Sequence, residues 1–150
     1  MKQPDSTTIQ LRTSSTADYQ AILNLLAECK LPIQDIEPGK QSFLIAENEG
    51  NVVGCAGLEV YGHTGLFRSL AVDSNYRNQH IGKLLTVEIL VLGRGKGISE
   101  FYLLTTRAEG FFKKQDWIVT DRNEVTSEIR KSSEFASICP STATCMKYIF

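Results

Sequence analysis

The sequence lacks any long hydrophobic run, which excludes the simplest kind of membrane protein. No stretch approaches the roughly 20 consecutive apolar residues that a membrane-spanning helix needs. The opening residues, MKQPDSTTIQL, also lack the apolar segment of a secretory signal peptide. We therefore expect a cytoplasmic protein that has no membrane partner.

The sequence also lacks an excess of charge of either sign, since its formal net charge is -1. A chain this balanced has no overall field that would attract nucleic acid, so we expect no nucleic-acid partner. Its four cysteines, Cys29, Cys55, Cys139 and Cys145, show no CxxC spacing. Reduced thiols are therefore favoured over disulfides or zinc, and no metal site is predicted.

The composition is that of an ordinary globular domain. Hydrophobic residues make up 42% of the chain and charged residues 22%. A length of 150 residues suffices for one well-formed core. We find no internal repeat and no linker, so residues 1–150 are expected to form a single domain.

The most informative stretch runs from Leu66 to Leu92. An apolar run as far as Val72 is followed by a polar break, and then by apolar residues at helical spacing. This pattern predicts a strand, a tight loop and a helix. A loop that leads into a helix N-terminus offers unpaired N–H groups and the positive end of the helix dipole, which suits a phosphate. Arg77 and Lys83 add positive charge.

The remaining elements are predicted from periodicity and turn residues. Strands are expected at 7–12, 42–48, 52–59, 66–72, 100–105, 117–120 and 142–149, the last as a possible edge strand. Helices are expected at 16–29 with Thr16 as N-cap, after the polar loop, at 108–115, and at 126–135 with Thr126 as cap; residues 33–41 form a loop or include a short helix. The strands within 42–72 form an antiparallel meander, and the helical crossover makes strand 100–105 parallel to strand 66–72.

The string Arg77-Asn78-Gln79-His80-Ile81-Gly82 resembles the pyrophosphate loop of the GNAT acyltransferase superfamily, Gln/Arg-x-x-Gly-x-Gly/Ala. Arg77 and Gly82 match, and His80 stands at the middle glycine. Histidine is among the residues less averse to positive φ. The loop is therefore expected to be altered but competent.

A second stretch is similar to the family pattern Asn-x-x-Ala-x-x-Φ-Tyr-x-x-x-Gly-Phe, where Φ is apolar. Ala108, Phe111 and Trp117 match it, while Thr105, Phe112 and Asp116 are substitutions. The segments GLEVYGHTGLFRSLAV, TTRAEGFF and EFASICPSTATCM also resemble a GNAT branch labelled arsenic-resistance N-acetyltransferase. That label suggests a role in the setting of arsenic resistance, but it names no substrate.

The resemblance implies an α/β fold with a mixed, mostly antiparallel central sheet flanked by helices and a phosphate loop between the fourth strand and the third helix. It also implies an acetyl-CoA-dependent N-acetyltransferase that acts on a small amine, possibly anionic or amino-acid-like. Direct transfer needs no covalent nucleophile. The alternative is a non-catalytic acyl-CoA-binding or thiol-based metalloid-binding module, which Phe112 and His80 keep open.

The resemblance implies several residues that contact coenzyme A. Backbone groups of Leu70, Ala71 and Val72 would hold the pantetheine arm, and the Thr105 hydroxyl would contact it. The pyrophosphate would be bound by the loop residues Arg77, Asn78, Gln79, His80, Ile81, Gly82 and Lys83. Phe112 stands where family members often place a tyrosine as general acid, so the thiolate is protonated by water, by Tyr102 or Tyr61, or leaves unprotonated.

The acceptor site is predicted from two charged residues. If residues 62–65 form a four-residue loop, Tyr61 pairs with Leu66, and Glu59 then lies opposite Arg68. Glu59 is the candidate base, and Arg68 is the candidate for gripping an acceptor carboxylate. A cross-strand salt bridge that reaches solvent explains the same pair equally well. Edge strands at both ends of the sheet would allow a homodimer.

Overall fold

A computed structural model gives the structure of the protein and describes residues 9–77, 79–139 and 142–150. The strands are β1 (Ile9–Thr13), β2 (Ser42–Asn48), β3 (Asn51–Tyr61), β4 (Thr64–Val72), β5 (Glu100–Thr105), β6 (Ile118–Val119) and β7 (Thr144–Ile149). The α-helices are α1 (Tyr19–Glu28), α2 (Ile81–Gly95), α3 (Glu109–Lys113) and α4 (Ser127–Arg130), and Glu134–Ile138 forms a π-helical segment. Short 3₁₀ turns span Thr16–Asp18, Ser74–Tyr76 and Arg122–Glu124.

The seven strands form a mixed sheet with the order β1-β2-β3-β4-β5-β7-β6. The pairs β1–β2, β2–β3, β5–β7 and β6–β7 are antiparallel, whereas β4–β5 is parallel. The expected α/β class with a mostly antiparallel sheet is therefore confirmed, as is the parallel crossover into β5. Strands β2 and β5 have the bounds that the sequence predicted.

The prediction that the last strand is an edge strand is wrong. Strand β7 lies between β5 and β6, and its ladder with β5 runs from Glu100↔Ile149 to Thr105↔Thr144. The consecutive residues Cys145 and Met146 are both buried. Because successive strand residues point to opposite faces, both faces of β7 are covered, as for an inner strand.

The predicted helix 126–135 is also wrong in its second half. Helix α4 ends at Arg130, and a π-helical segment follows from Glu134. The hydroxyl of Ser132 donates a 2.6 Å hydrogen bond to the backbone oxygen of Ile129. Serine side chains that bond nearby backbone groups compete with helical hydrogen bonding, which gives a local reason for the break. Thr126 does occupy the N-cap position.

The hairpin between β3 and β4 is tighter than the predicted four-residue loop. Strand β3 continues to Tyr61 and β4 begins at Thr64, so only Gly62 and His63 form the turn. Gly62 has φ +61°, a conformation that two-residue hairpin turns require. The Thr64 hydroxyl donates to the Tyr61 oxygen at 2.9 Å. The predicted pairing of Tyr61 with Leu66 therefore rested on a wrong loop length.

Three other bounds differ from the prediction. The first strand was expected from Thr7, which lies outside the described residues, and it ends at Thr13. The N-cap of the first helical turn is Ser15, not Thr16, and Asp18 completes a capping box with it. Within the described part of the chain, residues 33–41 contain no α-helix, so the helix after the polar loop is the second and not the third.

The chain divides into two compact units, which are described separately. The first comprises Met1–Leu58 and Ser69–Val91, and the second comprises Glu59–Arg68 and Leu92–Phe150. The core of the first consists of buried residues from α1, β2, β3 and β4, with Ile36: Ile22, Leu25, Leu26, Ile36, Phe43, Ile45, Cys55 and Ala71. The core of the second includes Leu66, Tyr102, Val125, Ile129, Phe135 and Cys145.

Glycines allow close packing at helix α2, one of them in strand β3 and the other within the helix itself. In the first unit, a Cβ added at Gly54 would lie 3.1 Å from Leu85 and 3.2 Å from Ile81. In the second, a Cβ added at Gly93 would lie 2.5 Å from the ring of Phe101. The Gly93 contact is closer than real side chains come, and the Gly54 contacts are tighter than usual, so glycine at these positions lets the helix pack tightly. No helix in the described ranges is long and apolar enough to cross a membrane.

Candidate functional site

The polar loop delivers the chain to the N-terminus of α2 as predicted. His80 immediately precedes the helix and has φ +62°. The Leu84 N–H donates to the His80 oxygen at 3.0 Å, closing the first helical turn. The N–H groups of Ile81, Gly82 and Lys83 precede this bond and belong to the set that a helix leaves without internal partners. Main-chain donors are thus available for an anion.

The left-handed backbone at His80 confirms the expectation that histidine tolerates this position. The side chain is exposed, so the turn is made by the main chain while the imidazole lies at the surface. A non-glycine residue in this region is uncommon and concentrates at functional sites. Asn78, another predicted loop residue, lies outside the described residues.

Arg77 and Gln79 show how the loop is held. The Arg77 guanidinium donates to the Val72 oxygen at 3.3 Å and contacts the Cys29 sulfur at 3.8 Å. The Oε1 atom of Gln79 is buried and has no hydrogen-bond partner among the described residues. Because a glutamine amide can present either its oxygen or its nitrogen, this position offers an acceptor or a donor to a ligand. These residues therefore fit a phosphate-bearing group.

Strand β4 contains an irregularity that the sequence did not predict. Ser69 has φ +58° in the middle of the strand. The described ladder with β5 ends at the pair Leu66↔Tyr102, although β4 and β5 both continue beyond it. A left-handed residue within a strand interrupts regular pairing, as in a β-bulge. The main chain of Leu70–Val72 therefore follows an interruption of the strand. Because the residue with positive φ is a serine and not a glycine, the sequence shows no sign of this interruption.

A buried charge cluster lies in the second unit. Arg68 Nη1 lies 2.8 Å from Glu59 Oε2, and Arg68 Nη2 lies 3.5 Å from Glu134 Oε2. The Tyr61 hydroxyl donates to Glu59 Oε1. The side chains of Arg68, Glu59 and Glu134 are 0%, 3% and 6% exposed. The sequence anticipated the contact between Glu59 and Arg68, but the salt bridge is buried and does not reach solvent.

Glu134 was missed in the sequence analysis. It lies within the segment EFASICPSTATCM, which resembles the family but does not mark Glu134 as a site residue. Nothing in the sequence pattern of a predicted helix shows that one of its charged residues is buried. Its approach to Arg68 depends on the π-helical segment, which the periodicity of the sequence did not predict.

The candidate proton donors are already engaged. The Tyr102 hydroxyl donates to Glu100 Oε2 at 2.9 Å, and burial, together with Glu100, raises the pKa of Tyr102 to about 12. The Phe112 ring is buried and packs edge-on against Phe67, with 5.6 Å between ring centroids. Phe112 is therefore a core residue.

Thr105 Oγ1 accepts a 2.9 Å hydrogen bond from the Ala108 N–H, which leaves its hydroxyl hydrogen able to donate.

The four cysteines are free thiols. Burial raises the pKa of Cys55 to about 12 and that of Cys145 to about 11. In the parts of the chain that the structure describes, no group of three or more His, Cys, Asp or Glu residues could hold a metal ion. The buried thiols are therefore inert at neutral pH.

Residues 39–119, more than half of the chain, match the family described as an acetyltransferase (GNAT) domain. The chain belongs to this family. Acetyltransferases of this kind use acetyl-CoA as the acetyl donor. The expected superfamily is therefore confirmed, whereas the comparisons give no support for the arsenic-resistance branch.

Curated relatives include an amino-acid acetyltransferase of Shewanella oneidensis, 30% identical over 121 residues that cover 75% of this chain and 27% of the relative. An uncharacterised N-acetyltransferase of Chlorobaculum tepidum is 27% identical and is matched over 77% of this chain and 73% of its own length. The chain thus spans about a quarter of the first relative and most of the second.

Solved structures share the fold. N-acetylglutamate synthase from Neisseria gonorrhoeae, complexed with coenzyme A and L-arginine, has a TM-score of 0.80 at 22% identity, covering 95% of this chain and 33% of that one. Rv2747 from Mycobacterium tuberculosis, in complex with CoA and NLQ, has a TM-score of 0.79 at 23% identity, covering 94% of this chain and 99% of that one. The fold is therefore that of GNAT proteins over almost the whole chain.

Proposed function

We propose that this chain is an acetyl-CoA-dependent N-acetyltransferase that transfers acetyl directly to the amine of a small, amino-acid-like acceptor. The main-chain geometry at the start of α2 carries the proposal, because left-handed His80 leads directly into a 15-residue helix. This arrangement, with Arg77 in the loop, suits a diphosphate. The name of the Shewanella relative supports the acceptor class.

Two regions of the chain would hold the cofactor. The N–H groups of residues 81–83 and the Gln79 amide would bind the pyrophosphate. The backbone of Leu70–Val72, which follows the interruption at Ser69, would pair with the pantetheine arm. Acetyl-CoA, when bound, supplies a thioester that an amine can attack.

The buried cluster would hold the acceptor. Arg68 lies one residue before Ser69 on β4, so the strand that presents the pantetheine-binding backbone also carries the guanidinium. A guanidinium binds a carboxylate through parallel hydrogen bonds, which would orient an amino acid. Glu59 is our candidate base. Because Tyr61 and Arg68 already fix its carboxylate, a proton from the amine would reach it through the Tyr61 hydroxyl or a water.

Neither Phe112 nor Tyr102 supplies a ready acid, and the Tyr61 hydroxyl is already engaged with Glu59. Phe112 has no proton to donate, and Tyr102 retains its proton beside Glu100. A thiol has an ordinary pKa of about 8.5, so the thiolate is a tolerable leaving group without assistance. We therefore expect a working but slow enzyme.

The test is calorimetric titration with coenzyme A, followed by thiol release from acetyl-CoA in the presence of each common amino acid. Glu59→Gln should retain the affinity for coenzyme A and lower kcat by about a hundredfold. Glu128→Gln, on an exposed residue of α4, is the matched control and should leave both unchanged. Absence of coenzyme A binding would reject the proposal.

Binding of coenzyme A without thiol release in any mixture would favour the alternative of a non-catalytic acyl-CoA-binding module, which the buried Phe112 keeps open. Stabilisation by trivalent arsenic alone would instead favour a thiol-based metalloid-binding module. The cytoplasmic location, the arsenic-resistance setting, the single domain spanning residues 1–150 and the homodimer stay predictions.

A further inference from the structure

The interruption of β4 is contacted by a side chain of the neighbouring strand β3. The Cys55 thiol donates a 3.5 Å hydrogen bond to the backbone oxygen of Ser69, the residue with left-handed φ. Cys55 is 0% exposed. An interruption in a strand ladder leaves main-chain groups that partners outside the ladder must satisfy. The Cys55 thiol is one such partner.

The same sulfur also contacts the main chain on the far side of the interruption. Burial, followed by the nearby Cys29 thiol, raises the pKa of Cys55 to about 12, and a hydrogen bond from the Ala71 N–H opposes the rise. The thiol therefore keeps its hydrogen at neutral pH. It can donate to Ser69 and accept from Ala71 at the same time.

The hairpin of β3 and β4 places Cys55 at this point. The Asp73 N–H donates to the Val53 oxygen at 2.8 Å, so these two residues face each other at the open end of the hairpin. Cys55 and Ala71 each lie two residues nearer the turn, and both belong to the core of the first unit. Packing as well as hydrogen bonding therefore holds the thiol against the main chain of residues 69–71.

We infer that Cys55 is a positioning residue for the pantetheine arm of coenzyme A, because its thiol connects the Ser69 oxygen with the Ala71 N–H. The inference rests on the proposed function, since it assigns the pantetheine arm to the backbone of Leu70–Val72. Cys55 forms no covalent bond and does not touch the cofactor. It acts through the main chain alone.

The reason lies in the conformation of Ser69. A non-glycine residue with left-handed backbone is strained, and it persists only where its surroundings impose that conformation. The hydrogen bonds of Cys55 are part of these surroundings. When they are lost, we expect the segment to relax toward a regular strand. The main-chain groups that follow would then no longer point toward the pantetheine arm.

Three substitutions separate the hydrogen bonds of Cys55 from its packing. Cys55→Ser keeps a group that donates and accepts, but it is smaller and more polar. Cys55→Val keeps an apolar side chain and removes both hydrogen bonds, and Cys55→Ala removes the hydrogen bonds and most of the volume. A packing role alone makes serine the more harmful choice and valine the milder one. A positioning role predicts the opposite order.

The test is calorimetric titration of the full chain with two ligands, coenzyme A and adenosine 3′-phosphate 5′-diphosphate, which is coenzyme A without its pantetheine arm. Cys55→Val and Cys55→Ala should weaken coenzyme A binding by about fivefold, and Cys55→Ser should stay within about twofold, as expected for one net hydrogen bond. The affinity for the shortened ligand should not change in any variant, because the loop before α2 binds it.

Cys145→Ala is the matched control for Cys55→Ala. Cys145 is also a buried free thiol, but it lies in the core of the second unit. Its substitution should lower the melting temperature as Cys55→Ala does, and leave the affinities for both ligands unchanged. If Cys55→Val does not fold, the comparison of Cys55→Ala with Cys55→Ser carries the test.

Three results overturn the inference: coenzyme A affinities that are unchanged in all Cys55 variants, a serine variant that binds as weakly as the alanine variant, and equal weakening for both ligands. Absence of coenzyme A binding by the unmodified chain rejects the proposed function and the role of Cys55 together. Normal coenzyme A binding and thiol release, with no response to Cys55→Val and Cys55→Ala, reject the role of Cys55 alone.

Discussion

We propose that the loop before α2 and the charge cluster around Arg68 each bind an anionic group, the loop through its main chain and the cluster through its side chains. In the loop, the main chain forms the turn at His80, and the His80 and Lys83 side chains are exposed. In the cluster, the side chains of Arg68 and Glu134 form the contacts and are almost fully buried. One region depends on φ and ψ, and the other on the identity of each charge.

This difference explains why the two regions tolerate substitution unequally. A site made of N–H groups accepts any residue that can adopt the required backbone conformation, so histidine can replace the family's glycine at position 80. A buried ion pair admits no such freedom, because the removal of either partner leaves an uncompensated charge. Each prediction below tests this contrast.

The largest effect is expected from Arg68→Met. The substitution preserves much of the apolar volume but leaves the carboxylates of Glu59 and Glu134 without the guanidinium, and should lower the free energy of unfolding by about 3–5 kcal/mol. Urea denaturation at pH 7 measures it. Arg77→Met, at an exposed arginine, should change stability by no more than about 0.5 kcal/mol. Equal stability losses in the two variants would contradict the contrast.

The next effect concerns two glycines within α2, Gly93 and Gly95. Gly93→Ala places a methyl group 2.5 Å from the Phe101 ring. Overpacking of this kind should lower the free energy of unfolding by about 1–3 kcal/mol. Gly95→Ala meets nothing within 4 Å and should leave stability unchanged or raise it by up to about 1 kcal/mol, since alanine favours helices. Thermal unfolding of both variants checks this, and a neutral Gly93→Ala would refute it.

His80 tests directly whether the loop acts through its main chain. His80→Gly should bind coenzyme A within about twofold of the original affinity, because glycine adopts positive φ freely. His80→Val should weaken binding by about tenfold, since a β-branched residue in this conformation carries strain of about 1–3 kcal/mol. Calorimetric titration measures both. If glycine weakens binding as much as valine, the imidazole itself contacts the ligand and the contrast is lost.

The sequence predicted best what local patterns determine. Strands β2 and β5 were found with their bounds because turn residues and apolar runs delimit them, and the loop before α2 was found because an apolar strand and a helical period flank it. The left-handed turn at His80 was anticipated from a family pattern together with the conformational tolerance of histidine. Each of these features depends on residues close together in the chain.

The features that were missed depend on residues far apart in the chain. The inner position of β7 depends on pairing with β5, about 40 residues earlier. The apolar periodicity of a strand does not show which strand it pairs with. The interruption at Ser69 is not marked by glycine. The burial of Glu134 against Arg68 joins positions 66 residues apart. The Glu59–Arg68 contact was predicted correctly, but from a loop length that the structure corrects.

The smallest effect is expected at an ion pair that lies outside both regions. Hydrogen bonds from the Arg12 guanidinium, and then from the Ser15 N–H, lower the pKa of Asp18 below its ordinary range. A carboxyl whose pKa is depressed on folding contributes stability above its unfolded pKa of about 3.9, and this contribution is lost as the pH falls toward the folded pKa. Asp18→Asn should therefore cost about 1 kcal/mol at pH 6, and the difference should shrink below about pH 4. Urea midpoints between pH 2 and 7 measure it. If the difference in the free energy of unfolding between the two proteins stays constant over this range, the Asp18 charge contributes nothing to stability. Partly exposed ion pairs such as this one would then differ from the Arg68 cluster in kind, and not only in the size of their contribution.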